Sequence, residues 1–535
     1  MNKRVLLAIA LSFVVLSFWQ ILLKSIYHID NKDVSNISSQ RETKQVMQEE
    51  PSNPLRFVEQ MSKGSVVDKL DFRPLEKIET DKLMLELVNP GARIQRVYLK
   101  DYKLNTQITG AVFSKSFEDK LYTLQTTDDG KIQLISEENG HSVIQNLKLL
   151  NDNYIIELET IYDNKSSSNW TLNDKLILNS ILDNAHPEEK RLFEVVFLNQ
   201  ENKRKNPSGI KNKYVHNEAF KAIGFRDRYS CIIISPQSPV TGSQPPAASR
   251  QYKAFIEKQS GVVEIGLDLG TIDLPANSRV ALKSIIYCGP QDISRLKQSK
   301  SGFEGIVHYG SFDFISSALL SILRLFHRLS HNWGAAIILL SVFVFFFLYP
   351  LTVKQMRSMK QMQALQPHIE ALRKTYKDNP QRMQKETMEL YRRHKANPFG
   401  GCLPIILQIP IFIGLFQALS RSIVLKGSHF LWIKDLAEAD KLFVLTSVIP
   451  FIGREINLLP ILMAVTMLFQ QKLSLKAGAA SKEALQQQKM MTLMMPVMFC
   501  FIFYHLPSGL SLYYFVNTLL STLLQWKTLK AAAPA

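Results

Sequence analysis

Apolar residues are arranged differently in the two parts of the chain. From about residue 65 to 300 they alternate with polar residues, whereas after residue 330 they form long, nearly uninterrupted runs. A helix that crosses a membrane needs about 20 mostly apolar residues. By this criterion the sequence predicts six spans, at residues 1–23, 332–352, 401–423, 458–472, 490–506 and 508–526.

The first apolar run follows two positive charges, Lys3 and Arg4, as in a secretory signal sequence. No small-x-small cleavage motif ends this run, and the run is long enough to span. We therefore predict an uncleaved signal anchor at residues 1–23. Residues 24–64 are polar with few aromatic side chains, a composition typical of a disordered tether.

The alternating pattern of residues 65–300 predicts β-strands. Val263, Ile265 and Leu267 are separated by single, less apolar residues, which is the period of a half-buried strand. The dipeptide Asn139-Gly140 is a hairpin turn signal. Many short strands in one segment of this length predict an antiparallel β-sandwich.

The distribution of charge predicts the topology. Residues 353–397 hold 11 Lys+Arg against 4 Asp+Glu, and residues 473–489 are also basic. Loops on the cytoplasmic side are enriched in Lys and Arg, so both segments are predicted to be cytoplasmic, the first as a basic helical hairpin. The β domain (65–300) and the loop at 424–457 then lie outside, and the short tail at 527–535 lies inside.

Two shorter segments complete the organisation. Residues 311–331 place Leu319, Leu320 and Leu323 on one helical face, which predicts an amphipathic helix in the membrane interface. Residues 441–452 are apolar but too short to span, and are either re-entrant or interfacial. The predicted fold class is a polytopic α-helical membrane protein with six transmembrane helices, five of them forming a core, and an extracytoplasmic antiparallel β-sandwich domain.

Polar side chains recur at helical spacing within the last span. The main stripe consists of Ser511, Tyr514, Thr518, Ser521 and Gln525, and a second pair, Tyr513 and Asn517, lies beside it. Gln408 and Ser341 are isolated polar residues in two other spans. Polar groups in hydrocarbon are costly unless they face protein or water. The stripe therefore predicts either a wet internal cavity or polar contacts that hold helices together.

The sequence offers little support for catalysis or metal binding. His327 and His331 have the spacing of a metal pair but no carboxylate partner, and the Ser294-x-x-Lys297 pattern is common by chance. We expect no catalytic residue, no metal, no cofactor and no nucleotide motif. Cys231 and Cys288 lie in the β domain, where the sequence leaves open whether they pair.

The net charge of +17 would suit a nucleic-acid-binding protein. However, 24 Lys+Arg and 10 Asp+Glu lie after residue 310, so 24 − 10 = +14 of it belongs to the hydrophobic part. Membrane topology explains this distribution better, and no specific nucleic-acid partner is expected.

Four motifs in the hydrophobic part resemble the YidC/Oxa/Alb family of membrane protein insertases. They are NWG (332–334), YPLT (349–352), NPFGGCLPIILQIPIF (397–412) and LPSGLSLYYFVN (506–517). The β domain after the first span is similar to that of the Gram-negative form of the family. The resemblance implies a protein of the bacterial inner membrane that inserts and helps to fold other membrane proteins without nucleotide hydrolysis.

The resemblance also implies functional residues and partners. The implied substrate groove is lined by Ser341, Phe345, Gln408, Ser511, Tyr513, Tyr514, Asn517 and Thr518. The implied contacts on the cytoplasmic hairpin are Lys354, Arg357, Lys360, Arg373, Lys374, Arg392 and Arg393. The implied partners are nascent membrane proteins, the Sec translocon, membrane lipids and, through the basic cytoplasmic loops, the ribosome.

One position departs from the family pattern. Members of the family usually carry an arginine five residues before the proline of YPLT, where this chain has Phe345. A positively charged groove therefore does not follow from the resemblance. Two alternatives of other classes are a secondary transporter, since polar stripes also build transport sites, and an anchored carbohydrate-acting enzyme.

Overall fold

The computed structural model describes most of the chain after residue 71. The described residues are 72–127, 131–150, 153–182, 190–237, 252–259, 261–299, 301–377, 379–394, 396, 403–449, 453–475 and 482–530. The predicted signal anchor (1–23) and tether (24–64) lie outside them, as do residues 476–481 of the predicted loop at 473–489. The chain divides into two compact units, Met1–Val307 and His308–Ala535.

The first unit is built from antiparallel strands, as the alternating sequence pattern predicts. Its strands are β1 (Arg73–Glu79), β2 (Leu83–Asn89), β3 (Arg93–Leu99), β4 (Leu104–Asn105), β5 (Thr123–Thr126), β6 (Ile132–Glu138), β7 (His141–Leu150), β8 (Ile155–Asn164), β9 (Trp170–Leu182), β10 (Glu194–Leu198), β11 (Lys203–Lys205), β12 (Lys213–His216), β13 (Ala222–Arg226), β14 (Ser230–Pro236), β15 (Lys253–Gln259), β16 (Val262–Leu274) and β17 (Ser278–Pro290). A short helix, α1 (Ile293–Gln298), follows them.

These strands form three sheets. One has four strands in the order β1-β2-β3-β4, one has nine in the order β11-β10-β13-β14-β17-β8-β7-β6-β5, and one has four in the order β12-β15-β16-β9. Val263, Ile265 and Leu267 of β16 are buried, so the face predicted from their spacing is the inward one. Part of the core is a cluster of Val112 and two residues from the third sheet, Ile177 and Phe255. The predicted β-sandwich domain is confirmed.

The two cysteines of this unit lie on adjacent strands but on opposite faces. The register places Cys288 opposite Ile232, and Gly289 opposite Cys231. Neighbouring residues of a strand point to opposite faces. Both thiols are buried and free, so the pairing that the sequence left open does not form in this fold.

The second unit is mainly helical. Its helices are α2 (Asp313–Ser330), α3 (Trp333–Ala364), α4 (Gln366–Thr375), α5 (Pro380–Arg393), α6 (Leu403–Arg421), α7 (Leu458–Leu475), α8 (Lys482–Tyr504) and α9 (Ser508–Lys530). Among the described residues, one helical segment, Trp333–Ser358, is both long and apolar enough to cross a membrane. Shorter apolar segments are Leu407–Arg421, Leu458–Leu473 and Leu493–Tyr504. The polar stripe of α9 lowers the hydrophobicity of that helix, and the total number of spans stays a prediction.

The boundary between the second predicted span and the basic hairpin is not a break in the helix. α3 continues from the apolar segment to Ala364, and the chain turns at Leu365. Leu365, Ile369 and Ala396 are buried together, with Leu390 packed against them, so α4 and α5 form a small hairpin core.

The segment 424–457, which is predicted to be an outer loop, contains a β-hairpin, with strands β18 (Phe443–Ile449) and β19 (Gly453–Ile456) paired antiparallel. The apolar segment at 441–452 is therefore extended rather than helical where the structure describes it. We call the paired strands β18 and β19, within residues 443–456, the outer hairpin.

Candidate functional site

Helix α9 is the element around which the candidate site is built. It packs against α7 and α3, and it also contacts α6. Helix α9 thus contacts protein on several sides, and its polar residues Ser511 and Tyr513 are buried. The predicted site residues lie on three of these helices: Ser341 and Phe345 are on α3, Gln408 is on α6, and the others are on α9.

A cluster of polar atoms lies where α6 meets α9. The hydroxyls of Tyr513 and Tyr514 lie near the side-chain amide of Gln408. Among the described residues, however, neither hydroxyl nor the Gln408 Nε2 atom has a hydrogen-bond partner of good geometry. The Ser511 hydroxyl, on the same helix, is also buried without such a partner. We call Gln408, Ser511, Tyr513 and Tyr514 the polar cluster.

Aromatic rings enclose one side of the polar cluster. The ring of Tyr514 lies 5.3 Å from that of Phe412 and 5.0 Å from that of Phe503, both in edge-on geometry. Tyr513 lies 5.2 Å from Tyr514, also edge-on. These contacts fix the tyrosine rings, so the hydroxyls are held in place by packing rather than by hydrogen bonds. An arrangement of fixed, unpaired polar groups is suited to solvating a polar guest.

Two predicted groove residues on α3 have a different environment. Ser341 is fully buried, and its hydroxyl donates a hydrogen bond of 2.8 Å to the carbonyl oxygen of Ile337 on its own helix. Phe345 is 8% exposed, and its ring lies 6.4 Å from that of Tyr349. Neither side chain therefore offers a free polar group, and their place in a groove stays a prediction.

The remaining stripe residues continue the polar face of α9 beyond the cluster. Asn517 and Thr518 are partly exposed, and the carbonyl oxygen of Thr518 accepts a hydrogen bond of 2.7 Å from the hydroxyl of Thr522. The polar face therefore runs from a buried part at Ser511 to a more open part at Thr518.

The predicted hairpin contacts lie at helix C-termini or along α3. Lys354, Arg357 and Lys360 are on α3. Two pairs occupy the last turns of α4 and α5: Arg373 and Lys374, then Arg392 and Arg393. Positive side chains at a helix C-terminus are stabilised by the helix dipole. All of these pair members are exposed, and Arg393 forms an ion pair of 2.9 Å with Glu389.

Sequence reasoning missed a polar junction between the predicted outer loop and the ends of α7 and α8. Asp440 is 2% exposed, and its carboxylate accepts hydrogen bonds from the backbone N–H of Leu459 and from the Trp432 indole. The side-chain amide of Asn457 donates to the carbonyl oxygen of Tyr504 at 2.7 Å. Burial raises the pKa of Asp440 above its ordinary value. No short motif marks these residues, because their partners are distant in sequence.

The second unit shows no sign of a metal centre at the histidine pair. Within the part of the chain that is described, no group of three His, Cys, Asp or Glu side chains could hold a metal ion. His327 instead stacks on Trp333, with ring centroids 3.9 Å apart.

Two family models match successive parts of the chain. The model described as 60Kd inner membrane protein matches residues 325–533, and that of the YidC periplasmic domain matches residues 107–322. They correspond to a membrane protein that combines a helical core with a β-sandwich domain.

Curated relatives agree with these models. The chain is 38% identical over 273 residues to the membrane protein insertase YidC of Syntrophobacter fumaroxidans, covering 51% of this chain and 48% of that protein. It is 37% identical over 305 residues to that of Geobacter sulfurreducens, covering 57% of this chain and 52% of that protein. This chain belongs to the YidC/Oxa/Alb family. The matches span about half the length of these relatives.

Among solved structures, the chain is similar to an active YidC insertase with its first transmembrane domain resolved. That comparison has a TM-score of 0.39 and 17% identity, covering 85% of this chain and 95% of that one. The family membership stands on the sequence matches.

Proposed function

We propose that this chain is a membrane protein insertase and chaperone of the bacterial inner membrane. The polar cluster is the observation that carries the proposal. Its hydroxyls and amide lie between helices, without good hydrogen-bond partners among the described residues. Leaving buried polar groups unpaired costs free energy, so their presence calls for a function that uses them.

The cluster suits a groove that transiently receives polar segments of another chain. Moving a polar side chain across hydrocarbon is costly, whereas a partly hydrated surface with hydroxyl and amide groups lowers that cost. The energy for insertion comes from the substrate itself, because an apolar helix of about 20 residues partitions favourably into the bilayer. No nucleotide is needed in this scheme.

The proposed groove is neutral. None of its polar members carries a formal charge at neutral pH; they are Ser341, Gln408, Ser511, Tyr513, Tyr514, Asn517 and Thr518. Phe345, which occupies the position where the family usually has arginine, adds no charge. The groove would then act by solvation and hydrogen bonding rather than by attracting acidic segments.

The proposed partners are nascent membrane proteins, the Sec translocon, membrane lipids and the ribosome. The exposed basic residues at the ends of α4 and α5 support an electrostatic contact with the ribosome or with acidic parts of an incoming chain. The secondary-transporter alternative receives no support from the relatives, which are named as insertases.

Water accessibility of the groove tests the proposal. Gln408→Cys, Tyr514→Cys and Thr518→Cys, each in the full chain in native membranes, should react with a charged thiol reagent. Val465→Cys and Phe469→Cys are matched controls, because these side chains are apolar and exposed and lie on α7, which contributes no residue to the polar cluster. If α7 faces lipid, these two positions stay unlabelled.

The functional arm uses the same membranes. Labelling at position 514 should block the insertion of a small one- or two-span protein, whereas labelling at an exposed hairpin position that is not a predicted contact, such as Gln384→Cys, should leave much of it. If positions 408, 514 and 518 are all sealed from the reagent in folded protein, the proposed groove does not exist.

A further inference from the structure

We infer that the outer hairpin (443–456) is a lipid-binding element that lies in the headgroup region of the bilayer, on the non-cytoplasmic side. This inference goes beyond the insertase proposal but rests on its membrane orientation. The outer hairpin belongs to neither the polar cluster nor the basic cytoplasmic hairpin.

Charged residues are concentrated on one side of β18 in the sequence, just before the strand begins. Residues 434–441 contain five charged side chains, whereas residues 442–453 contain none. Phe443 and Val444 are adjacent on β18 and hence point to opposite faces, yet they are 63% and 69% exposed. A surface that docks on a protein usually presents one apolar face. On β18, apolar side chains are thus exposed on both faces, as in an element that contacts lipid, whereas the charged Arg454 and Glu455 lie on the partner strand β19.

The charged base is fixed to the helices. The backbone N–H of Lys441 donates to the side-chain oxygen of Asn457 at 2.9 Å, and the Lys441 ammonium pairs with Glu455 at 3.1 Å. The Tyr504 hydroxyl donates to the carbonyl oxygen of Glu455 at 2.8 Å. The exposed apolar strand is therefore held in a defined direction and is not a loosely attached loop.

The hairpin is continuous with a helix that has an exposed apolar stripe. Asn457 alone separates β19 from the start of α7 at Leu458. On α7, Ile461, Val465 and Phe469 recur every four residues and are all exposed. If this stripe faces lipid, the exposed side chains of the hairpin extend the same lipid contact beyond the end of the helix.

Backbone hydrogen bonding limits the depth of insertion. The outer hairpin has two strands, and its pairing is irregular between Val444 and Ile449. Unpaired backbone groups are not tolerated in the hydrocarbon core, but they are satisfied by water and headgroups at the interface. The exposed Arg454 can extend toward lipid phosphates while its stem stays near apolar surface. The headgroup region therefore fits better than the bilayer centre.

A fluorescent label at position 444 tests this inference in the full chain. Val444→Cys carries an environment-sensitive fluorophore in phosphatidylcholine vesicles containing lipids with a quencher on a shallow or a deep acyl carbon. Wild-type protein, labelled in parallel, gives the background from natural cysteines. We expect blue-shifted emission, at least twofold stronger quenching by the shallow quencher than by the deep one, and little quenching by aqueous iodide.

Two outcomes would overturn the inference. Red-shifted emission quenched by iodide would mean that the hairpin stands in water. Blue-shifted emission quenched by neither lipid nor iodide would mean that a protein, either a second copy or another partner, covers it.

Two further positions separate this inference from the insertase proposal. A label at Val465→Cys should be quenched by the lipid with the deep quencher if α7 spans the bilayer. If it is not quenched, the predicted membrane arrangement, on which both proposals rest, is wrong. Quenching at 465 without quenching at 444 would reject the hairpin inference alone. Arg454→Cys, on the partner strand, serves as the matched position where the label should emit at longer wavelength than at 444.

Discussion

The carboxylate of Asp440 accepts a hydrogen bond of 2.7 Å from the backbone N–H of Leu459, in the first turn of α7. A residue 19 positions earlier in the chain thus caps this helix. The first N–H groups of a helix have no partner inside it, so such a cap satisfies a group that would otherwise be buried unpaired. Asp440 also joins the charged base of the outer hairpin to the helix that follows.

Two substitutions of Asp440 should have opposite effects on the stability of the folded protein. Asp440→Ala should destabilise the helical unit by about 1 kcal/mol through loss of the cap. Asp440→Asn keeps an oxygen acceptor for Leu459 and removes a buried charge. Because burial raises the pKa of Asp440 in the folded protein, its stabilising contribution is complete at low pH and is lost as pH rises through that pKa.

Thermal unfolding in detergent over a series of pH values checks this prediction. Asp440→Asn should gain stability relative to wild type as pH rises from about 4 to 7, and Asp440→Ala should be less stable throughout. Equal pH dependence of wild type and Asp440→Asn would show that this carboxyl does not titrate in that range.

A histidine in the β domain predicts acid sensitivity. His216 is 3% exposed, its ring is stacked on Phe197 at 4.1 Å, and its Nε2 atom has no hydrogen-bond partner among the described residues. Burial lowers the pKa of His216. The folded domain therefore resists protonation, and its stability falls as pH drops below the ordinary histidine pKa of about 6.5.

His216→Phe should reduce this loss, because a phenyl ring keeps the stacking and cannot be protonated. Circular dichroism of the β-sheet signal in the full-length protein measures the melting temperature at each pH. Tyr214→Phe, which removes the hydroxyl 3.4 Å from the imidazole Nδ1 but leaves the imidazole, measures how much that contact contributes to the acid response. An unchanged acid response in His216→Phe would assign the sensitivity to other groups.

The cysteines of the β domain predict a simple chemical result. Burial raises the pKa of the Cys288 thiol to about 12 and raises that of Cys231 as well. The thiolate is the reactive form, so both should be inert in folded protein. Peptide mapping after alkylation should find them modified only when the protein is denatured first, even after exposure to an oxidant. Recovery of a peptide with a disulfide between residues 231 and 288 would contradict the strand register.

Local sequence patterns predict some of these features and not others. The alternation at Val263 and Ile265 predicts a strand because the period of side-chain direction is a local property. The same holds for the spacing of Tyr514 and Thr518 on α9. These patterns identify the β-sandwich and the polar stripe without any knowledge of neighbouring elements.

Features that depend on contacts between distant segments could not be predicted in this way. The side of α6 that carries Gln408 faces Tyr513 only because of how two helices pack. Cys231 and Cys288 point to opposite faces because of the strand register. That register cannot be predicted from the residues next to either cysteine in the sequence. The cap by Asp440 is likewise non-local. The apolar segment at 441–452 was ambiguous because short apolar runs suit helices and strands alike.

Two tyrosine-to-phenylalanine substitutions separate the hydrated groove from a dry helix contact. Both side chains are buried, but the Tyr504 hydroxyl bonds to the carbonyl oxygen of Glu455, whereas that of Tyr513 has no such partner among the described residues. Tyr504→Phe should lower the free energy of unfolding by about 1–2 kcal/mol and leave insertion by folded molecules unchanged.

Tyr513→Phe should instead impair insertion and leave stability nearly unchanged, because its hydroxyl is proposed to contact the substrate rather than to stabilise the fold. We expect a change in stability of less than about 0.5 kcal/mol together with slower insertion of a small membrane protein into vesicles. In a dry contact, the unpaired hydroxyl costs about 1–3 kcal/mol, so its removal would stabilise the protein and leave insertion unaffected. Measuring unfolding and insertion on the same preparation therefore decides whether this hydroxyl belongs to a working groove.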